Sequence, residues 1–387
     1  MPRRSKLVPG LLIAAALVMT SAGVGATALA ASATDSAGAA RTSAAAPAHA
    51  GHAAHGGHAA DMAGDATGAG QAMGAMPPST KSSAEDPDGD GYIPANPPVT
   101  GVEPSAAEPP HRYFHEFQAN CSYTHAAPDD PIVFPGQPGK SHDHTFMGNT
   151  TTNAASTTAS LDAGGTTCKA PGDKSGYWVP TLLRGDTPQP PVGPQTIYYK
   201  AGVTDYTSVR PFPKGLRFVV ANPMQTAQQF RDNPGFVEGW ECGDSYFNVD
   251  FPTDCPDSQD VQLNIRFQAP SCWDGVNLDT PDHVSHMAYP VVREGTNDNV
   301  CPADHPVALP MIEFKMAFPV NGDLSDVRLS SGASYSFHYD FFNAWDDATL
   351  AALVDHCIVG GLQCDARGYD ETHPEAGAAL DDNYELP

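Results

Sequence analysis

The sequence predicts a mostly β fold: an antiparallel sandwich or jelly-roll-like domain with long loops, one short C-terminal helix and disulfide bonds. Three observations predict it. Val261-Gln262-Leu263-Asn264-Ile265-Arg266-Phe267 alternates apolar and polar side chains strictly, and Ile312, Phe314 and Met316 repeat the pattern, as strands buried on one face do. The 387 residues include 36 Gly and 37 Pro, and the apolar runs are set apart by long Gly/Pro/Asp stretches with almost no helical periodicity between them. Eight cysteines, all after residue 120, form an even set, which in an exported chain points to disulfides.

The N-terminus supports export. Arg3, Arg4 and Lys6 precede an apolar stretch from Leu7 to Met19 that contains Pro9 and Gly10 and is too short to span a bilayer. Ala28-Leu29-Ala30 supplies small residues where a signal peptidase reads, so cleavage is expected after Ala30 and residues 1–30 read as a signal peptide. The chain carries a net charge of −25, or −28 without the three leader bases. That excess of acid argues against nucleic acid and against anionic lipid as partners. With no later apolar run of membrane-spanning length, a secreted protein is expected.

Residues 31–110 are dominated by Ala, Gly, Ser, Thr and Pro and read as a disordered linker, because such composition cannot offset its ordering entropy. Inside it His49, His52, His55 and His58 recur every three residues ahead of Met62, Met73 and Met76. Imidazole and thioether ligands suit copper-type ions, and a period of three aligns them on an extended chain; a repeat without a role is the plainer reading. Asp86, Asp88 and Asp90 with Gly91 match the first half of a calcium loop, but Pro97 stands where its bidentate Glu belongs. An acidic turn is therefore the expectation there.

Residues 111–387 read as a single β-rich domain. Strands are expected at 216–220, 261–267, 287–292, 311–318 and 335–342. The helix is expected after Asp346 or Asp347, with Leu350, Leu353, Val354 and Cys357 on one face and Gly360-Gly361 at its end. Eight cysteines allow 105 pairings. The short separations favour Cys242–Cys255 and Cys357–Cys364, and elimination leaves Cys272–Cys301 and Cys121–Cys168. A four-cysteine zinc site is disfavoured because no Cys-x-x-Cys pair exists.

Three clusters carry the candidate chemistry: His142-Asp143-His144; Cys272-Trp273-Asp274-Gly275 with His283 and His286; and His338-Tyr339-Asp340. In an extended segment His142 and His144 project to one side, as do His338 and Asp340. A His-x-His pair joined by a ligand from another strand is how β-rich proteins build open metal sites. A His/Asp pair equally suits acid-base work. The structural alternative is a buried polar network that locks loops together. His111, His115, His125, His305 and His373 read as loop residues that are solvated or bonded to a backbone carbonyl.

His142-x-His144-x-Phe146-x-Gly148-Asn149, Tyr177-Trp178-x-Pro180, Cys272-Trp273-Asp274-Gly275, Ser285-His286-Met287-Ala288-Tyr289-Pro290 and His338-x-Asp340-Phe341-x-Asn343-x-Trp345 occur in this order. Together, across residues 111–350, they resemble the DUF1996 family of secreted bacterial and fungal domains; Ala344 stands where Gly is expected. The resemblance implies an extracellular setting and, through the wall-binding modules that accompany fungal members, polysaccharide as partner. It brings no established reaction.

The expected function is therefore a secreted domain whose His/Asp pocket binds, and as an enzyme cleaves, extracellular or cell-wall polysaccharide. His142, Asp143, His144, His283, His286, His338 and Asp340 are the expected catalytic groups. His142, His144, His286 and His338 are the expected ligands of a divalent transition metal, with calcium at Asp86, Asp88 and Asp90 a weaker expectation. Trp178, Trp273, Asp274, Tyr289, Asn343 and Trp345 are the expected substrate contacts, the aromatics as exposed sugar platforms. The alternatives are a non-catalytic glycan-binding protein and a copper-type metal carrier using the His/Met tail. Gly-x-Ser-x-Gly, Walker and dinucleotide motifs are absent, which disfavours esterase, NTPase and dehydrogenase chemistry.

Overall fold

Eleven strands build two antiparallel sheets that enclose the main core. The computed structural model describes residues 84–232, 237–242, 245–248, 250–256 and 262–386; the tail histidines His49, His52, His55 and His58 and the signal peptide lie outside them. The strands are β1 (Glu116–Gln118), β2 (Tyr123–Ala127), β3 (His144–Gly148), β4 (Gly176–Pro180), β5 (Thr196–Ala201), β6 (Arg217–Val220), β7 (Val237–Cys242), β8 (Ser245–Asn248), β9 (Leu263–Gln268), β10 (Pro310–Phe318) and β11 (Tyr339–Phe342). One sheet runs β8-β7-β9-β10-β5-β1 and the other β2-β3-β4-β11-β6. The alternation read in 261–267 and 311–318 becomes the β9–β10 pair, with Ile265 opposite Met316 and Phe267 opposite Phe314.

The inner faces meet through aromatic rings. Phe314 lies 4.5 Å from Tyr339, and the Tyr177 hydroxyl bonds that of Tyr199 at 2.5 Å. Tyr177, Tyr339, Phe341 and Phe218 come from the five-stranded sheet, and Phe117, Tyr199, Phe267 and Phe314 from the six-stranded one. All are buried in one apolar cluster, the arrangement of a sandwich.

The outer face of the five-stranded sheet carries a second cluster of Phe146, Trp178, Val219 and Phe342. Ile132 and Val133 from a loop, Leu161 from the short helix α1 (Thr158–Asp162) and partly buried Val284 cover it. With both faces buried, the strands of this sheet read as nearly continuous apolar runs. The burial of His144 and Thr145 as well as Phe146 and Met147 follows from that.

The four disulfides are Cys121–Cys168, Cys242–Cys255, Cys272–Cys301 and Cys357–Cys364. They pair the cysteines as loop length and elimination suggested. The C-terminal helix, Asp347–Leu353, is capped by Asp346, whose carboxylate accepts from Thr349 N, and continues through wider π-type turns to Val359. Two short helices had no sequence signal: α1 and Ala227–Asp232. No helix among the described residues is long and apolar enough to cross a membrane.

Three expectations are corrected. The run 287–292 is two short strands, Met287–Ala288 and Val291–Val292, because Pro290 removes a ladder donor between them. In 335–342 a tight turn at Ser334–Ser336 precedes β11. Residues 84–110 pack on the domain instead of forming linker. Ile93 pairs with Asp279, Val99 N donates to Gly275 O at 2.7 Å, and Glu85 bonds Arg217.

Candidate metal centre

Three histidines from two distant stretches of chain meet at the outer face of the five-stranded sheet. His144 opens β3. His338 immediately precedes β11, and β4 lies between those strands. His142 reaches the same point from the loop before β3. Its Nε2 is 3.2 Å from His338 Nε2, and His144 Nε2 is 3.1 Å from the same atom. One nitrogen from each ring lies within 4.8 Å of the others. His144 and His338 are buried and His142 is half-buried, so the cluster opens to solvent at His142.

The outer nitrogens fix the tautomers. His144 Nδ1 bonds the carbonyl of Asp129 at 2.9 Å, and His338 Nδ1 bonds the carbonyl of Ser336 at 3.0 Å. A carbonyl only accepts, so each Nδ1 carries the proton, and in the neutral rings each Nε2 presents a lone pair inward. Neutral rings are what burial favours. Desolvation pushes His338 down to about 3 and His142 to about 4. It holds His144 well below the usual range, with His142 and His338 adding to the effect. Lone pairs converging at this separation repel unless a cation lies among them. Carbonyl-oriented imidazoles around a shared point are the arrangement of metal-ligating histidines.

Asp340 is the nearest acid. Its Oδ2 is 3.8 Å from His338 Nε2, it is completely buried, and neither carboxylate oxygen has a hydrogen-bond partner. Burial raises its pKa well above the ordinary carboxylate value, and Asp130 raises it further. Asp130 is raised to about 6, first by burial, although Ile132 N and Val133 N donate to it. Next in this polar seam is His283, whose Nδ1 bonds Asp279 at 3.0 Å and whose Nε2 is buried without a partner. Burial opposes its protonation, yet Asp279 and Asp130 raise its pKa overall. His283 also has φ +57, a conformation that costs a non-glycine residue roughly 1–3 kcal/mol and persists where the surroundings impose it.

Several expected site residues lie elsewhere. His286 is buried with both ring nitrogens engaged, Nδ1 by Thr280 Oγ1 at 3.0 Å and Nε2 by the carbonyl of Arg217 at 2.8 Å. No lone pair is left for a metal, so it is not a fourth ligand. Trp178, Trp273 and Trp345 are 0–1 % exposed and belong to the interior, not to a sugar platform. Trp345 Nε1 donates to Tyr199 and Trp273 Nε1 to the carbonyl of Asn277. Tyr289 is half-buried and donates to the carbonyl of Gln268. Asp274 accepts from Val276 N and Asn277 N, and Asn343 bonds Pro213 O and Trp345 N. Both therefore hold turns. Asp143 lies in the loop before β3 and accepts from Thr181 N through its carbonyl.

Asp86, Asp88 and Asp90 lie together, but Asp86 caps its own turn by accepting from Gly89 N and Gly91 N. That is the acidic turn expected. The groups that sequence reasoning missed are Asp130 and the carbonyls of Asp129 and Ser336. Backbone carbonyls carry no sequence signal, and Asp130 sits in a Pro-Asp-Asp-Pro loop with no periodicity.

Residues 130–345 match the family described as a domain of unknown function, DUF1996. The segment begins at the acid behind the histidine cluster and ends past β11. No curated protein and no solved structure matches the chain.

Proposed function

The chain belongs to the DUF1996 family, and from the site that the family's segment builds we propose that the domain binds a divalent transition-metal ion and acts with it on extracellular polysaccharide. His142, His144 and His338 are the ligands. The observation that carries this reading is the pair of Nε2–Nε2 separations of 3.2 and 3.1 Å, with two of the three rings held at Nδ1 by backbone carbonyls. Three neutral imidazoles and an open side suit zinc or copper more than calcium or magnesium, which favour oxygen ligands.

A bound ion of this kind polarises a coordinated oxygen and raises the acidity of water. The protein's own contribution is a dry, shaped surround. Asp340 stands beside His338 with two unengaged oxygens, placed to take up a proton or to complete the ligand set. The half-buried His142 leaves a side open for substrate. The acidic chain, at −25, suits an uncharged polymer better than a polyanion.

Metal analysis of full-length protein, purified without affinity tags or chelators, tests the proposal. One ion per chain is expected, together with a cobalt(II) visible spectrum that His144→Ala and His338→Ala abolish. Metal-free protein that stays colourless with cobalt would leave the histidines as a buried polar network, and the proposal would fail.

A further inference from the structure

On the open edge of the same sheet lies a shallow, open groove of about 520 Å³ lined by Tyr123, Thr124, His125, Thr150–Asn153 and Thr167. It contains no charged side chain, in a chain with 45 acidic residues. It is dense in hydroxyls, and three of the threonines have their donor protons engaged by the protein. Thr124 Oγ1 donates to Phe146 O, Thr167 Oγ1 to Ser122 O and Thr151 Oγ1 to Asn149 Oδ1. Each oxygen keeps a lone pair for an incoming donor. Because the Thr124 proton goes to Phe146 O, its 2.9 Å contact with His125 has Nδ1–H donating. In the neutral ring the His125 Nε2 is then an acceptor too.

The groove thus offers acceptors without charge, together with the ring of Tyr123, which is 37 % exposed. A ligand matched to it is neutral, carries many O–H or N–H donors and has an apolar face to lay on an aromatic ring. We infer that this groove is a binding site for a neutral saccharide chain. The inference rests on the polysaccharide reading above and gives it a place.

The groove's wall is linked to the metal centre through packed rings. His125, expected to be a loop residue, lies in β2 and stacks flat on Phe146 at 4.7 Å and 7°. Phe146 stands 6.2 Å from His144. Ala127, two residues along β2, pairs with His144 itself. A chain seated on Tyr123 and His125 therefore needs to extend by about two strand residues, roughly 7 Å, to reach the histidines.

Calorimetry and saturation-transfer NMR on the full chain test this. The probes are hexasaccharides of β-1,4-glucose, β-1,3-glucose and N-acetylglucosamine, with hexagalacturonate as a charged comparison. At least one neutral hexamer is expected to bind with micromolar to millimolar Kd, and hexagalacturonate is not. Tyr123→Ala should weaken binding at least tenfold, and Thr150→Trp, which fills the exposed groove, should abolish it, both with unchanged Tm and metal content. Chelator-treated protein should still bind a neutral hexamer through the groove, so failure of the metal proposal leaves this result intact. Absence of binding to every neutral hexamer, or binding undiminished in Thr150→Trp, overturns the groove assignment even where metal is present.

Discussion

His338 and Asp340 stand two residues apart at the start of β11 and face the same side of the sheet, with Nε2 and Oδ2 3.8 Å apart. That separation is too long for a hydrogen bond, and both carboxylate oxygens lack any other partner. A buried polar group left unpaired costs roughly 1–3 kcal/mol. The strand therefore carries an unfavourable term that a cation beside His338 would relieve.

Asp340→Asn should separate that role from folding. The amide keeps the shape and removes the charge, so the metal-free protein should change little in Tm. Loss of a supporting carboxylate typically costs 10–100-fold in metal affinity. At saturating metal the stabilisation should fall by about 1.4–2.7 kcal/mol, read as a smaller Tm rise on adding zinc. An equal rise in both proteins would show that Asp340 does not serve the ion.

The disulfides should contribute unequally. Cys121–Cys168 closes a separation of 47 residues and Cys357–Cys364 one of 7. On the chain-entropy estimate these are worth about 4 and about 2 kcal/mol. Replacing each pair by serine and comparing urea midpoints should give the larger loss for Cys121–Cys168. The reverse order would mean that native packing, not loop closure, governs the difference.

Residues 84–110 should be released by acid. Glu85 accepts from Arg217 Nη1 at 2.9 Å and from Thr158 N at 3.0 Å. Burial alone would raise its pKa, but the guanidinium and the Thr158 hydrogen bonds bring it below the ordinary value of 4.5. A lowered folded-state pKa means that the unfolded chain binds the proton first. The contribution is complete above about pH 4.5 and fades as pH falls through the lower folded value. Between pH 6 and 3, Glu85→Gln should flatten part of the Tm decline. A variant curve parallel to that of the native chain would exclude the ion pair as the cause.

The site was partly legible because its local pairs obey strand periodicity. His142 with His144, and His338 with Asp340, follow from alternation alone. Which pairs meet was not legible. β3 and β11 become near neighbours only because β4 lies between them, with Phe146 opposite Trp178 and Trp178 opposite Asp340. That order depends on long-range pairing. Trp178 misled for a related reason: this sheet is covered on both faces, so a residue that would be exposed on a one-sided sheet became interior, while Trp273 and Trp345 lie in the main core. His286 carries the same residue type as the ligands, and its place apart from the cluster and its two hydrogen bonds exclude it. The cysteine pairs were readable because two of the four close short loops.

Gly148 shows how the motif around His144 is held in register, and it provides the sharpest structural test. It closes β3 with φ +77, and a Cβ there would lie 2.6 Å from Ser175 O and 2.8 Å from the Tyr177 ring. The backbone conformation alone costs an L-residue roughly 1–2 kcal/mol. The carbonyl cannot move aside without breaking its bond from Asn149 N. Gly148→Ala should therefore cost about 2–4 kcal/mol, measured by urea denaturation. Because β3 carries His144 four residues earlier, the strain should also loosen the ligand set and lower zinc affinity in protein that still folds. A variant with native stability would mean that the β3–β4 edge yields freely, and the register that brings His144 to His338 would then need another source.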